Sequence, residues 1–390
     1  MILQLPIAWL QLARQRVRFM VALAGIAFIV VLIFMQLGFN DSLYTSAIKV
    51  HQIIKGDLFL ISSQYKSLTA KQSFPRERLY QALGFNGVES VSPLYLRFAK
   101  FKNPITEQKF SIYVIGFDPG KPVLNSPEVN QNLDMLKLPN VVLFDRKSRP
   151  DFGPIAENFD QGNTEQTIEI FGFAATKGYR VKVGGLFSLG PSFGVDGNLV
   201  VGDSTLFRIF NLNSEMIDVG VITLKPDADP AMVLKNLRNH LSKDVLVFSY
   251  QEFLDFEKDY WQTRTPVGFI LGMMLVMASV VGIVIVYQIL HSNISTNLVA
   301  YATLKAIGYP NKYLLSVVFQ QSVILAILAY IPGLAISIGL YNVVKDATGL
   351  PMEMRLNQSF IVLIVTILMC FASGVLAVNK MRSADPADIF

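Results

Sequence analysis

The sequence predicts four transmembrane helices with a large α+β extracytoplasmic domain between the first and the second. Three observations predict it. The 390 residues are 52% hydrophobic and only 16% charged, whereas a soluble domain carries about 25% charged residues. Four charge-free apolar runs are each long enough to cross a bilayer, which takes about 20 residues. Between the first and second of them, residues 40–265 hold 25 Lys and Arg against 25 Asp and Glu, the balance of an ordinary water-facing domain.

The first run, Phe19–Phe39, has 21 residues, and Gln36 is its strongly polar member. It exceeds the usual apolar length of a cleaved signal, and no clear A-x-A site follows. Pro266–Leu290 supplies 25 residues, Tyr313–Val344 supplies 32 and Phe360–Val378 supplies 19. At about 1.5 Å per residue the third run measures roughly 48 Å against a hydrocarbon core of about 30 Å. Either Pro332-Gly333 kinks it or its end continues outside as an exposed helix.

The net charge of +5 lies entirely beside these runs. Arg14, Arg16 and Arg18 precede the first, Lys305 and Lys312 sit between the second and third, and Lys380 and Arg382 follow the fourth, offset by Asp385 and Asp388. By the positive-inside rule all three pieces are cytoplasmic. Both termini then face the cytoplasm, and residues 40–265 lie on the other side of the membrane. Charge laid out this way is a topology signal, not a nucleic-acid footprint. Residues 5–16, with Trp9, Leu10 and Leu12 beside arginines, suit either a short interfacial helix or a plain extension of the first span.

Three regions follow: 1–39 is the interfacial segment and first span, 40–265 the outer domain, and 266–390 the remaining spans with a cytoplasmic loop at 291–312 and a cytoplasmic tail. The outer domain begins and ends in helical patterns. Leu43, Ala47, Val50 and Ile54 recur at three and four residues, as do Phe253, Phe256 and Tyr260. Each pattern runs directly into a span, so the two suit a paired stalk. Between them, GDLFLIS, VESVSPLYLRF, KFSIYVIGF, NVVLF, TIEIFGF, YRVKVGGLF, NLVVG and DVGVITL read as strands. FPRERLYQALGFNGVESVSPLYL and ITLKPDADPAMVLKNLRNHLSKDVLVFS each set an amphipathic helix beside strands. In the second, Asp229 caps a helix that has Pro230 at its first position. An α+β domain of two lobes results.

Catalytic chemistry finds no foothold. No GxxxxGK[ST], G-x-S-x-G, HExxH or GxGxxG occurs, so no catalytic, cofactor-binding or metal-binding residue is assigned. The glycines of GGLFSLGPSFGVDGNLVVG open no helix and read as turns between strands. One cysteine, Cys370, excludes an internal disulfide, and His51, His240 and His291 are too scattered for a zinc site. The spans lack Asp, Glu, Lys, Arg and His, the groups that an ion-coupled pump keeps inside the membrane. They do carry small-residue pairs for helix packing, Gly268 with Gly272 and Ser373 with Ala377, within one chain or between two.

The 291–312 loop, HSNISTNLVAYATLKAIGYPNK, has no acidic residue. Leu298, Tyr301, Leu304, Lys305, Ile307 and Gly308 follow a helical row that Gly308-Tyr309-Pro310 stops. It reads as a docking peg on the membrane surface or as a plain connection.

The order of one span, an outer domain of this size, three spans and a cytoplasmic YATLKAIGYP resembles the permeases of MacB/FtsX-type ABC transporters. In these an E-I-x-x-x-x-A-x-G segment follows the second span. Ala302–Gly308 (ATLKAIG) fits its end, with Val299 or Ala300 in the usual acidic place. The tail Ser383–Phe390 resembles the family's P-x-E-A-L ending. PIAWLQL, FPRERLYQALG, VESVSPLY, VVLFDRKSRPDFGP, VGIVIVYQIL and ADPADIF resemble the DevC-like branch over nearly the whole chain. The resemblance implies a non-catalytic permease subunit in a homodimer with a separate cytoplasmic ABC ATPase. It also implies a periplasmic adaptor, a TolC-like outer-membrane duct and glycolipid cargo. A regulator of cell-wall hydrolases of the FtsX kind and a lipoprotein-releasing permease are the alternatives.

Overall fold

The computed structural model describes residues 9, 10, 12, 14, 16–172, 177–296, 303 and 307–382. It divides into two compact units, one of residues 1–42 and 266–390 and one of Leu43–Thr265.

Among the described residues, the first unit contains four helices long and apolar enough to cross a membrane. They lie in Arg16–Ala47, Pro266–Thr296, Asn311–Thr348 and Leu356–Arg382. Within this unit the first span is the most enclosed: 44% of its most apolar window is buried, against 17% for the second span. Ile26, Val30, Ile33 and Phe34 of the first span and Leu325, Ala326 and Ala329 of the third share one buried cluster.

The third helix runs on through Pro332 and ends at Gly349, which takes a left-handed φ of 68°. Pro332-Gly333 therefore does not divide it. The glycine instead admits the first span: a Cβ there would fall 2.7 Å from Val30 Cγ1 and 3.1 Å from the Ala27 carbonyl.

The second unit is built on a nine-stranded sheet. Its early strands are β1 (Leu58–Ser62), β2 (Phe74–Pro75), β3 (Val88–Lys102), β4 (Lys109–Phe117), β5 (Val141–Asp145) and β6 (Thr167–Gly172). Later come β7 (Tyr179–Phe187), β8 (Asn198–Gly202), β9 (Met216–Ile217), β10 (Val219–Leu224) and β11 (Val245–Ser249). The order β11-β1-β10-β3 is antiparallel throughout, with helices Arg76–Leu83 and Pro230–His240 as the crossovers from β1 to β3 and from β10 to β11. This is a split βαβ arrangement. The two helix-plus-strand stretches of the sequence are its two halves, and Asp229 caps the second helix by accepting from the Ala231 amide at 2.9 Å.

The other lobe is inserted between β3 and β10. The order β3-β4-β8-β5-β7-β6 returns on itself where Ala99–Lys102 of β3 also pair with Glu169–Gly172 of β6. Six strands thus form a closed ring. β3 is 15 residues long because it serves both lobes: Val88–Leu94 pair with β10 and Leu94–Lys102 with β4.

Candidate functional site

The sequence places function in the 291–312 loop. Leu298, Tyr301, Leu304 and Lys305 lie outside the described residues. Ile307 is exposed, its amide donates to the Thr303 carbonyl at 3.0 Å, and Gly308 turns the chain at φ 102°. A left-handed φ of that size suits glycine and ends a helix. The next helix begins at once with Asn311 behind Pro310.

Among the packing residues, Ser373 is fully buried and donates to the Ile283 carbonyl at 3.0 Å, which joins the fourth span to the second. The Ala377 side chain lies outside the described residues. Gly268 is half-buried, and a Cβ on Gly272 would meet nothing within 4 Å. The close approaches lie elsewhere. A Cβ on Gly282 would fall 2.1 Å from Met369 Cε, one on Gly374 would fall 2.9 Å from Ser322 Oγ, and one on Gly38 would fall 2.2 Å from the Tyr341 hydroxyl. That hydroxyl donates to the Phe34 carbonyl at 2.6 Å. No G-x-x-x-G spacing marks these glycines, because their partners, Met369, Ser322 and Tyr341, stand on other helices.

The densest set of buried polar groups lies within the Leu43–Thr265 unit, where its two ends meet. Short helix Lys49–Ile53 follows the first span, and helix Tyr250–Asp259 leads toward the second. The latter starts on a capping box between Ser249 and Glu252 and ends in a π-turn, Tyr260–Arg264. These two stalk helices lie against each other. The His51 ring meets Phe253 edge-on at 4.5 Å, and His51 Nε2 lies 3.5 Å from Glu257 Oε2.

His51 and Glu257 are each 1% exposed. Glu257 accepts from the Leu68 amide at 3.0 Å, Trp261 Nε1 at 3.0 Å and the Tyr65 hydroxyl at 3.4 Å. Burial pushes its carboxyl up to about 7 against the pull of those donors. Burial also pushes His51 down to about 3. At neutral pH the imidazole is uncharged, so the contact is not an ion pair.

Glu257 anchors one end of the segment between β1 and β2. The other end is anchored by Asp218, between β9 and β10. Lys71 Nζ and Ser73 Oγ each reach Asp218 at 2.7 Å, the Leu96 amide reaches it at 2.8 Å, and Arg97 adds its guanidinium. Burial alone would raise the Asp218 carboxyl, but Lys71, Arg97 and the hydrogen bonds hold it below the usual range. Burial lowers Lys71 to about 8 despite the attraction of Asp218. Residues 63–73 thus form a strap tied to the stalk helix at Leu68 and to the sheet at Lys71 and Ser73. Tyr113 of β4 also donates to the Leu68 carbonyl at 3.4 Å.

A second tie reaches the ring lobe through the glycine-rich turn between β7 and β8. Lys49 Nζ donates to the Pro191 carbonyl at 3.1 Å, and Phe193 meets Trp261 edge-on at 4.6 Å. Gly190 and Gly194 take left-handed φ values of 83° and 78°. Buried Asp145 fixes the turn, accepting from Leu189 N at 3.0 Å, Gly190 N at 2.7 Å and Asn198 Nδ2 at 2.8 Å. Helix Lys49–Ile53 is thus tied to the ring lobe at Pro191, and helix Tyr250–Asp259 to the strap at Leu68. Sequence reasoning treats His51 as an ordinary histidine and singles out neither Glu257 nor Asp218. A lone acid or histidine on an amphipathic helix carries no sign of its partner.

Comparison with known proteins finds a family match within the membrane half. Residues 272–386 match the family described as FtsX-like permease C-terminal. No curated protein matches the sequence. Among solved structures, the periplasmic region of MacB from Actinobacillus actinomycetemcomitans is 12% identical, with a TM-score of 0.34, over 53% of this chain and 94% of that one. The extracellular domain of the noncanonic ABC-type transporter YknZ from Gram-positive bacteria is 17% identical, with a TM-score of 0.30, over 50% of this chain and 99% of that one.

Proposed function

We propose that this chain, whose residues 272–386 match the FtsX-like permease C-terminal family, is the non-hydrolysing permease subunit of an ABC exporter. The family match carries the reading, because it takes in the last three spans together with the 291–312 loop. ATP binding and hydrolysis belong to a separate cytoplasmic ATPase that docks on Leu298, Tyr301, Leu304, Lys305, Ile307 and Gly308. Closure of the ATPase presses on that loop, and the spans carry the motion to the stalk helices. The strap at residues 63–73 and the turn at Phe193 then pass it to the two lobes. Both termini are cytoplasmic and the α+β unit is periplasmic, as the basic residues ask. The absence of ionisable residues from the spans supports a machine whose cargo does not cross between these helices.

The finer reading rests on the DevC-like motifs: a homodimer that works through a periplasmic adaptor and a TolC-like duct to export glycolipid. In that dimer Gly272, open within one chain, packs against the second copy together with Gly268. The test is affinity purification of the tagged chain from native membranes, followed by mass spectrometry. An ATPase with an adaptor is the expected company. A cell-wall hydrolase in place of the adaptor would favour the FtsX-like regulator, and no ATPase at all would overturn the reading.

A further inference from the structure

At the end of the first unit where the chain enters its first span, two helices leave a cleft of about 280 Å³ between them. Arg18, Val21 and Ala22 line it from one helix, and Ile285, Gln288 and Ile289 from the other. The spacings of three and four residues mean that one face of each helix forms a wall. One turn deeper the cleft closes, because Gly25 lets Ile289 approach to 3.1 Å of where a Cβ would stand.

Apolar walls beneath a polar mouth suit an amphiphile, and the charge at the mouth sets its sign. Arg18 donates to the Thr296 hydroxyl, which fixes the guanidinium beside the opening. Ser292 adds a hydroxyl there. The walls come from residues 1–40 and 260–345, two stretches without a single Asp or Glu, and Arg14 and Arg16 are exposed nearby. The Gln288 amide is exposed on the flank of a span and has no hydrogen-bond partner among the described residues. An amide facing lipid tails with no partner costs free energy that a headgroup oxygen would restore. A planar guanidinium matches phosphate oxygens, and basic clefts between spans suit anionic headgroups.

We propose that this cleft binds an anionic phospholipid, its phosphate on Arg18 and Gln288 and one acyl chain along Val21, Ala22, Ile285 and Ile289. The ligand is a lipid of the surrounding leaflet, and the site lies at the Arg18 end of the first span. It does not depend on the exporter reading.

The experiment is native mass spectrometry of the full chain in detergent, titrated with phosphatidylglycerol or with phosphatidylcholine of the same chains. Phosphatidylglycerol should be retained about tenfold better, the worth of one charge-assisted contact. Arg18→Gln should erase that preference, and Arg14→Gln should leave it within about twofold. Val21→Trp, at an exposed position, fills the cleft without touching Arg18 and should also erase it. This second variant keeps the test valid if Arg18→Gln misfolds. Equal retention of the two lipids would overturn the proposal, as would equal losses in Arg14→Gln and Arg18→Gln. Displacement of the lipid by millimolar inorganic phosphate would also overturn it, by assigning the cleft to a free anion.

Discussion

Asp218 and Glu257 are both buried in the α+β unit, and both hold the strap between β1 and β2, yet the chain treats them in opposite ways. Asp218 receives two cations as well as a hydroxyl and an amide, and stays ionised. Glu257 receives only neutral donors, with a neutral imidazole at 3.5 Å. Its carboxyl is pushed up to about 7. Burial raises both carboxyls, so the difference lies in the partners. Asp218 is a permanent tie between strap and sheet. Glu257, where the strap meets the stalk, changes charge within the physiological range.

The largest expected effect breaks the permanent tie. Asp218→Ala would leave Lys71 and Arg97 half-buried beside an empty acceptor. Losing one partner of a buried ionic cluster costs about 3–5 kcal/mol. The full chain in detergent should melt well below the unmodified chain, and the Leu96 amide should lose hydrogen-exchange protection. Unchanged melting would mean that the strap carries no load.

Next in size is the titration of the junction, where the signs can be worked out. Glu257 rises from an ordinary 4.5 to about 7, so its contribution is fully present below 4.5 and is lost as pH rises through 7. His51 falls from 6.5 to about 3, so its contribution is present above 6.5 and is lost as pH falls through 3. Between 4.5 and 6.5 the two slopes oppose each other: the folded pair keeps one proton on Glu257, and the unfolded pair keeps one on His51. Stability from this pair is therefore flat across that window. Glu257→Gln leaves the histidine alone, so relative to the unmodified chain stability should fall on acidification. The slope should approach about 1.4 kcal/mol per pH unit. His51→Phe keeps a ring against Phe253 and should give the opposite slope. Denaturation of the three proteins at pH 5, 6 and 7 checks this, and parallel curves would refute it.

What the sequence made legible follows from how local each signal is. The spans, the strands and the Asp229 cap depend on neighbours a few residues apart, and the structure has them where the patterns lie. The pairing of β3 with β6, which turns a sheet into a ring, leaves no local trace. The ties at Glu257 and Asp218 also join distant residues, and only the apolar spacing of the two flanking helices hinted at the first. Gly38, Gly282 and Gly374 are close-approach positions set by Tyr341, Met369 and Ser322, and no single-helix motif encodes those. The coupling row from Leu298 to Lys305 lies outside the described residues and is a proposal for docking experiments.

The smallest effects separate the donors on Glu257, and so test whether neutral partners set where it titrates. Trp261 Nε1 donates at 3.0 Å and is the strongest of the groups that lower this carboxyl, whereas the Tyr65 hydroxyl is at 3.4 Å and the weakest of them. Each donor favours the ionised form, so removing either should move the titration to higher pH. Trp261→Phe should move it further and also weaken the contact with Phe193, at a cost of about 1–2 kcal/mol at neutral pH. Tyr65→Phe should cost about 0.5–1 kcal/mol, because its hydrogen bond is long and the ring remains to pack. The measurement is the pH midpoint of the stability difference between each variant and the same variant carrying Glu257→Gln. Midpoints ordered Trp261→Phe, Tyr65→Phe, unmodified chain, from highest to lowest, are expected. A midpoint that moves down in either variant would mean that these side chains act on Glu257 by shielding it from water, not by donating to its charge.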